Sequence, residues 1–117
     1  ISYRLVGSEM CIRDRIRLLA SPAALTNIPV SAEKEDHVSM GSTASERLIE
    51  ICDLAACVLA NEMIIASAAL DFRKEKPGVG VVRLHEWVRT VSAPIVGDRS
   101  LSGDTMALAK RILKEGV

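Results

Sequence analysis

The sequence predicts an all-α fold of long helices, and three observations carry that reading. No proline interrupts the chain between Asp36 and Pro77, and apolar residues recur there with three-and-four spacing. Aromatic residues make up only 3% of the chain although 49% of it is apolar, so Ala, Leu, Ile and Val must do the packing that Phe, Tyr and Trp usually share. Small aliphatic side chains let helices approach closely, which suits a helical bundle in a larger assembly better than a self-contained core.

Composition also excludes several functions. Fifteen basic residues balance fifteen acidic ones, the Lys and Arg are scattered among acids, and no basic stripe with interleaved aromatics is present, so nucleic acid is not the expected partner. Residues 54–70 are apolar over nearly a membrane-spanning length, but Asn61 and Glu62 stand at the centre, where lipid would make them costly. That stretch is expected to be a buried helix, with no membrane partner. Cys52 and Cys57 lie five positions apart, about 140° around a helix axis, and cannot pair with each other. Without a Cys-x-x-Cys or a Cys/His cluster no metal site is expected, and reduced thiols in a cytoplasmic protein are.

Taken in order, residues 1–15 stand apart. Their string from Ile1 to Arg15 resembles sequencing-adaptor read-through translated onto a gene fragment, so the native part is expected to be 16–117. A signal peptide fits poorly, because Arg4, Glu9, Arg13, Asp14 and Arg15 break up any apolar run. Removing the three arginines and two acids of that segment leaves 12 basic against 13 acidic residues. Residues 18–30 hold Pro22, Asn27 and Pro29 and keep no periodicity, which predicts an irregular, ordered connection.

Helix is expected from about Asp36, with Glu33, Glu35 and Asp36 suiting the positive end of its dipole. Thr43-Ala44-Ser45-Glu46 reads equally as a capping box that would start it at Thr43. Leu48, Ile51, Ala55, Val58, Leu59 and Glu62 fall near one stripe, yet Leu54, Ala56, Ala60, Ile64, Ile65 and Ala68 put apolar groups on other sides. The second half of this helix should therefore enter a bundle or an intersubunit core. Residues 73–78 are a charged stop and a turn. A second helix follows with Val81, Leu84, Trp87, Val88 and Val91 on its apolar face and His85 on the surface, and Pro94 and Gly97 end it. Ser102 is expected to cap a third helix, with Asp104 in its first turn, Met106, Ala109, Ile112 and Leu113 facing inward, and Lys114 and Gly116 at its end.

The string Glu35-Asp36-His37-Val38-Ser39-Met40-Gly41 resembles the signature that carries an active-site carboxylate in the histidine ammonia-lyases. The resemblance continues through Leu19-Ala20-Ser21-Pro22-Ala23 and Ile28-Pro29-Val30-Ser31-Ala32 upstream. Downstream it takes in Val58-Leu59-Ala60 with Glu62, Leu70-Asp71-Phe72-Arg73, and Asp98-Arg99 with Leu101 and Asp104. Ordered matches over about a hundred residues are hard to obtain by chance. The resemblance implies a C-terminal fragment from the helical-bundle core of an ammonia-lyase, and it favours one continuous helix bent near Gly41. It also implies a homotetramer whose active sites draw on several subunits.

In that family a methylidene-imidazolone cofactor forms from an Ala-Ser-Gly triplet and a tyrosine takes the proton. The triplet is absent here, and Tyr3, the only tyrosine, lies in the suspect segment. Glu35 is the one residue that matches a catalytic position. Asp36 and His37 match the string too, but are expected either to stand behind Glu35 without touching substrate or to support the helix start. The acid at 35 favours L-histidine as the small amino-acid substrate, giving urocanate, because phenylalanine and tyrosine ammonia-lyases typically have glutamine there. A lyase or aminomutase for those amino acids stays as an alternative, and so does a non-enzymatic helical association module. Glu33, Lys34 and Asn61 depart from the family's usual residues, and a fragment lacking electrophile and base is expected to be inactive alone.

Overall fold

The computed structural model describes the backbone of residues 3–116 and the side chains of 9–25 and 27–116. Ile1 and Ser2, and the side chains of Tyr3 and Arg4 discussed above, lie outside the described residues. The described residues form four α-helices and one short 3-10 helix, with no strand among them, as expected. They divide into two compact units, 1–54 and 55–117.

In the first unit α1 spans Tyr3–Leu19, crossing the boundary at 15/16 that the sequence suggests. Arg17 in its last turn complements the helix dipole. Pro22 stops it, since the residue before a proline is driven out of the helical region. Pro22 then opens the 3-10 helix Ala23–Thr26, closed by Leu25 N–H to Pro22 O at 3.2 Å.

The irregular segment runs on to Met40, well past the expected end at residue 30. Ser31, Ala32, Glu33 and Met40 all have positive φ, between 52° and 63°. Left-handed backbone at a residue with a Cβ costs roughly 1–2 kcal/mol and cannot continue a right-handed helix. The helix expected to begin near Asp36 and bend at Gly41 therefore begins at Gly41 instead, and its first turn holds no acid. Thr43 lies inside that helix rather than capping it, and Ser45 Oγ turns back to donate to Gly41 O at 2.9 Å.

Helix α2, Gly41–Asp71, has 31 residues, about 46 Å at 1.5 Å per residue. Its N-terminal half belongs to the first unit, where Arg15 pairs with Glu50 at 3.0 Å and Arg47 Nη1 donates to Ser21 O at 2.9 Å. Leu48 and Ile49 are exposed there.

The second unit contains the rest of α2, α3 (Val79–Arg89) and α4 (Ser102–Glu115). Its core is Ala56, Ala60 and Ile64 from α2, Val88 from α3, and Leu108 and Ala109 from α4, with Cys57, Met63, Trp87, Val91, Ile95, Leu101 and Ile112 packed around it. The buried stripe of α2 is Ala56, Ala60, Asn61, Ile64 and Ser67, whereas Leu59 and Glu62 of the expected stripe are exposed. A step from Ala55 to Ala56 turns the face by about 100°. On a helix apolar on most sides the small side chains decide, because only they let neighbouring helices close in.

In α4 Leu108 is fully buried, while Met106 and Leu113, expected inside, are half exposed. Leu101 takes the N-cap position that Ser102 was expected to fill, and no side chain caps the helix. Gly116, at φ 76°, ends it as expected, its N–H reaching Ile112 O at 3.0 Å. Two polar groups enter this core as a pair: Thr105 Oγ1 donates to Asn61 Oδ1 at 2.8 Å with both residues buried. Among the described residues no helix is long and apolar enough to cross a membrane.

Candidate functional site

Glu35 sits directly after the turn 31–34, which is closed by Lys34 N–H to Ser31 O at 3.2 Å. Asp36 and His37 follow it in non-helical backbone, five and four positions before Gly41 opens α2, and all three side chains are exposed. They do not buttress a helix start, since that start lies beyond Met40. Glu35 has no ion pair or hydrogen-bond partner among the described residues, which leaves both carboxylate oxygens open to a ligand. Two side-chain bonds frame the segment. Asn27 Nδ2 donates to Val38 O, joining the two ends of the stretch that carries Glu35. Arg47 of α2 holds Ser21 O at the start of that segment.

The three Ala-Ser pairs offer no place for an internally formed electrophile. Ser21 precedes Pro22 at the end of α1, Ser45 is bonded to Gly41 O inside α2, and Ser67 is buried within α2 and followed by Ala68. None is followed by the glycine from which a methylidene-imidazolone closes, so the residues of this chain do not fit that group.

Two carboxylate clusters escaped the sequence reading. Asp71, at the end of α2, receives His85 Nε2 at 2.9 Å on one oxygen and Arg89 Nη2 at 2.5 Å on the other. His85 is thus half-buried and engaged rather than a free surface residue. Arg89 Nη1 also donates to Ser92 O at 3.0 Å. Asp104 receives Arg99 Nη2 at 2.8 Å and Ser92 Oγ at 2.7 Å. The hydrogen bond from Arg99 holds the Asp104 carboxyl below the usual range, against the opposing effect of burial. The four-residue spacing of His85 and Arg89 signals a shared helix face, but nothing local links that face to Asp71 across the turn.

Beside them Arg111 lies 4.5 Å over the Trp87 ring and pairs with Glu115 at 2.7 Å. Each of these carboxylates is already paired with a cation, which makes them fasteners rather than acids or bases for a substrate. An open groove lined by Gly80, Arg83, Leu84, Trp87, Glu115 and Gly116 includes none of the residues nominated from sequence. Among the described residues no three His, Cys, Asp or Glu side chains are grouped to hold a metal ion, and Cys52 is an exposed thiol.

Comparison with known proteins places this arrangement. The chain is 41% identical over 97 residues to the histidine ammonia-lyase of Myxococcus xanthus, covering 82% of this chain and 19% of that protein. It is 44% identical over 92 residues to the histidine ammonia-lyase of Caldanaerobacter subterraneus, covering 78% and 18%. A probable histidine ammonia-lyase of Thermoplasma acidophilum is 34% identical over 109 residues, covering 93% and 22%. The chain therefore spans about a fifth of the length of the curated relatives it matches. The sequence model of the aromatic amino acid lyases matches residues 11–90, which include Glu35, most of the irregular segment's neighbours in α1 and all of α2, and so the chain belongs to the aromatic amino acid lyase family.

Proposed function

We propose that this chain is part of a histidine ammonia-lyase, an enzyme that eliminates ammonia from L-histidine without oxidation to leave urocanate, and that Glu35 is its substrate-holding carboxylate. The observation that carries the reading is an unpaired acid at position 35 within Glu35-Asp36-His37-Val38-Ser39-Met40-Gly41. A substrate ammonium or imidazole N–H can donate to its open oxygens, and a charge-assisted bond of that kind fixes the reacting carbon relative to the electrophile. A phenyl ring has no such donor. The electrophile, supplied in this family by the methylidene-imidazolone, and the tyrosine base would come from the rest of the longer chain. In the same reading the enzyme is a cytoplasmic homotetramer and the 117 residues alone are inactive.

The test is made in the complete lyase. Glu35→Gln keeps shape and removes charge, so folding should survive while histidine turnover falls. Losing one charge-assisted contact made in the transition state costs about 2–4 kcal/mol, or roughly 30- to 1000-fold. His85→Gln should leave turnover almost unchanged, since His85 is tied to Asp71. Unchanged turnover in Glu35→Gln, alongside its loss in a folded Asp36→Asn or His37→Gln enzyme, would shift the role to a neighbour. An in-frame coding sequence upstream of residue 16 with an Ala-Ser-Gly triplet would support the enzyme, and a start codon just before Arg17 would oppose it.

A further inference from the structure

The backbone that carries Glu35 has little to hold it. Between Asn27 and Val38 the described residues provide one backbone hydrogen bond, the Lys34–Ser31 turn at 3.2 Å, and residues 28–39 are all exposed. An irregular stretch of this kind samples many conformations unless its ends are joined, and a carboxylate on it would reach a substrate in only some of them. Among the described residues its ends are joined by a single side chain. Asn27 is half-buried, and its Nδ2 donates to the carbonyl of Val38, eleven residues on and three past Glu35. The approach to this clasp is fixed in turn: Asn27 N–H bonds Ala24 O at 3.2 Å, Ala23 is buried, and Arg47 holds Ser21 O at 2.9 Å. The far end is fixed by α2, whose first backbone bond joins Ala44 N–H to Met40 O at 3.0 Å.

We infer that Asn27 is a positioning residue for the lyase reaction, a clasp whose amide closes the loop 28–37 and sets the position of Glu35. The inference rests on the reading of Glu35 given above. Asn27 touches no substrate and acts through the backbone of Val38. Its amide suits the task because it presents an N–H donor to a carbonyl from a short, two-torsion side chain. Aspartate has the same shape but would set a negative oxygen against the carbonyl oxygen, and alanine leaves the ends unjoined.

The experiment uses the complete lyase as wild type, Asn27→Ala, Asn27→Asp, Glu35→Gln and the Asn27→Ala/Glu35→Gln double variant. Each is measured for kcat and KM with histidine, for Tm, and for the rate of tryptic cleavage after Lys34. Asn27→Ala and Asn27→Asp should each lower kcat/KM roughly tenfold, the effect of one lost hydrogen bond, with cleavage after Lys34 accelerated and Tm nearly unmoved. Adding Asn27→Ala to Glu35→Gln should cost little more, because the clasp acts through the carboxylate already removed. Wild-type kinetics in both Asn27 variants, or losses that simply multiply in the double variant, overturn the inference while leaving Glu35 in its role. Failure of both Asn27 variants to fold also overturns it, since the clasp would then be structural. Unchanged turnover in Glu35→Gln overturns the reading of Glu35 and this inference with it.

Discussion

Asp104 shows how much one side chain can organise. Arg99 and Ser92 both donate to its Oδ2, so the carboxylate joins the connection after α3 to the first turn of α4. Its pKa lies below the usual value in the folded chain, chiefly through the Arg99 hydrogen bond. A carboxyl depressed by folding contributes stability that is complete above its unfolded pKa, near 4, and that is lost as pH falls through the lower folded value. Denaturant midpoints measured between pH 7 and pH 2 should therefore fall on the acid side of about pH 4, and Asp104→Asn should flatten that limb. An Asp104→Asn protein with the same acid limb as wild type would remove this residue as its source. Sequence made Asp104 visible as a first-turn acid. It could not supply Ser92, twelve residues away, because the partner is set by how the connection folds back. Glu35 was legible only through its surrounding string, whereas Asn27 stood out merely as a loop residue. Its bond to Val38 depends on the path of ten intervening residues.

At the scale of elements, the locations of α2, α3 and α4 and the C-terminal end of α4 follow from proline, glycine and apolar spacing, while the faces they bury do so less well. Val88 and Ala109 were legible as inward residues, and both are buried. Met106 and Leu113 are 53% and 51% exposed, whereas Leu108 is fully covered. On a short helix with apolar groups at 106, 108, 109, 112 and 113, the periodicity leaves more than one face open, and the contacts with Ala56 and Ala60 choose among them. Leu108→Ala should cost about 2–5 kcal/mol of unfolding free energy through a cavity among close-packed alanines. Met106→Ala should change the same denaturation midpoint far less. Equal losses would mean that α4 is turned to bury Met106. The start of α2 was missed for a backbone reason: composition at 36–40 permits helix, but left-handed Met40 stops it.

For the whole molecule, the family match and the exposed apolar side chains point the same way. Leu48, Ile49 and Leu59 on α2 and Val79, Val81 and Leu84 on α3 are left uncovered, and of these only Leu59 lies in the second half of α2, whose apolar pattern anticipated a covering partner. In a chain that spans about a fifth of its relatives, such side chains are expected to meet protein that these residues do not include. The 117-residue chain alone should self-associate, and sedimentation velocity should find species heavier than its 12.6 kDa. A cooperatively folding monomer at all concentrations would contradict that. A bundle built from alanines has one further difficulty, because small side chains interlock weakly and let one helix slide along another. The buried bond from Thr105 to Asn61 acts there as a detent. Sliding α4 by one turn would carry the hydroxyl about 5 Å from its acceptor and strand both groups without water, so this polar pair inside an apolar seam makes one alignment of the two helices distinguishable from its neighbours.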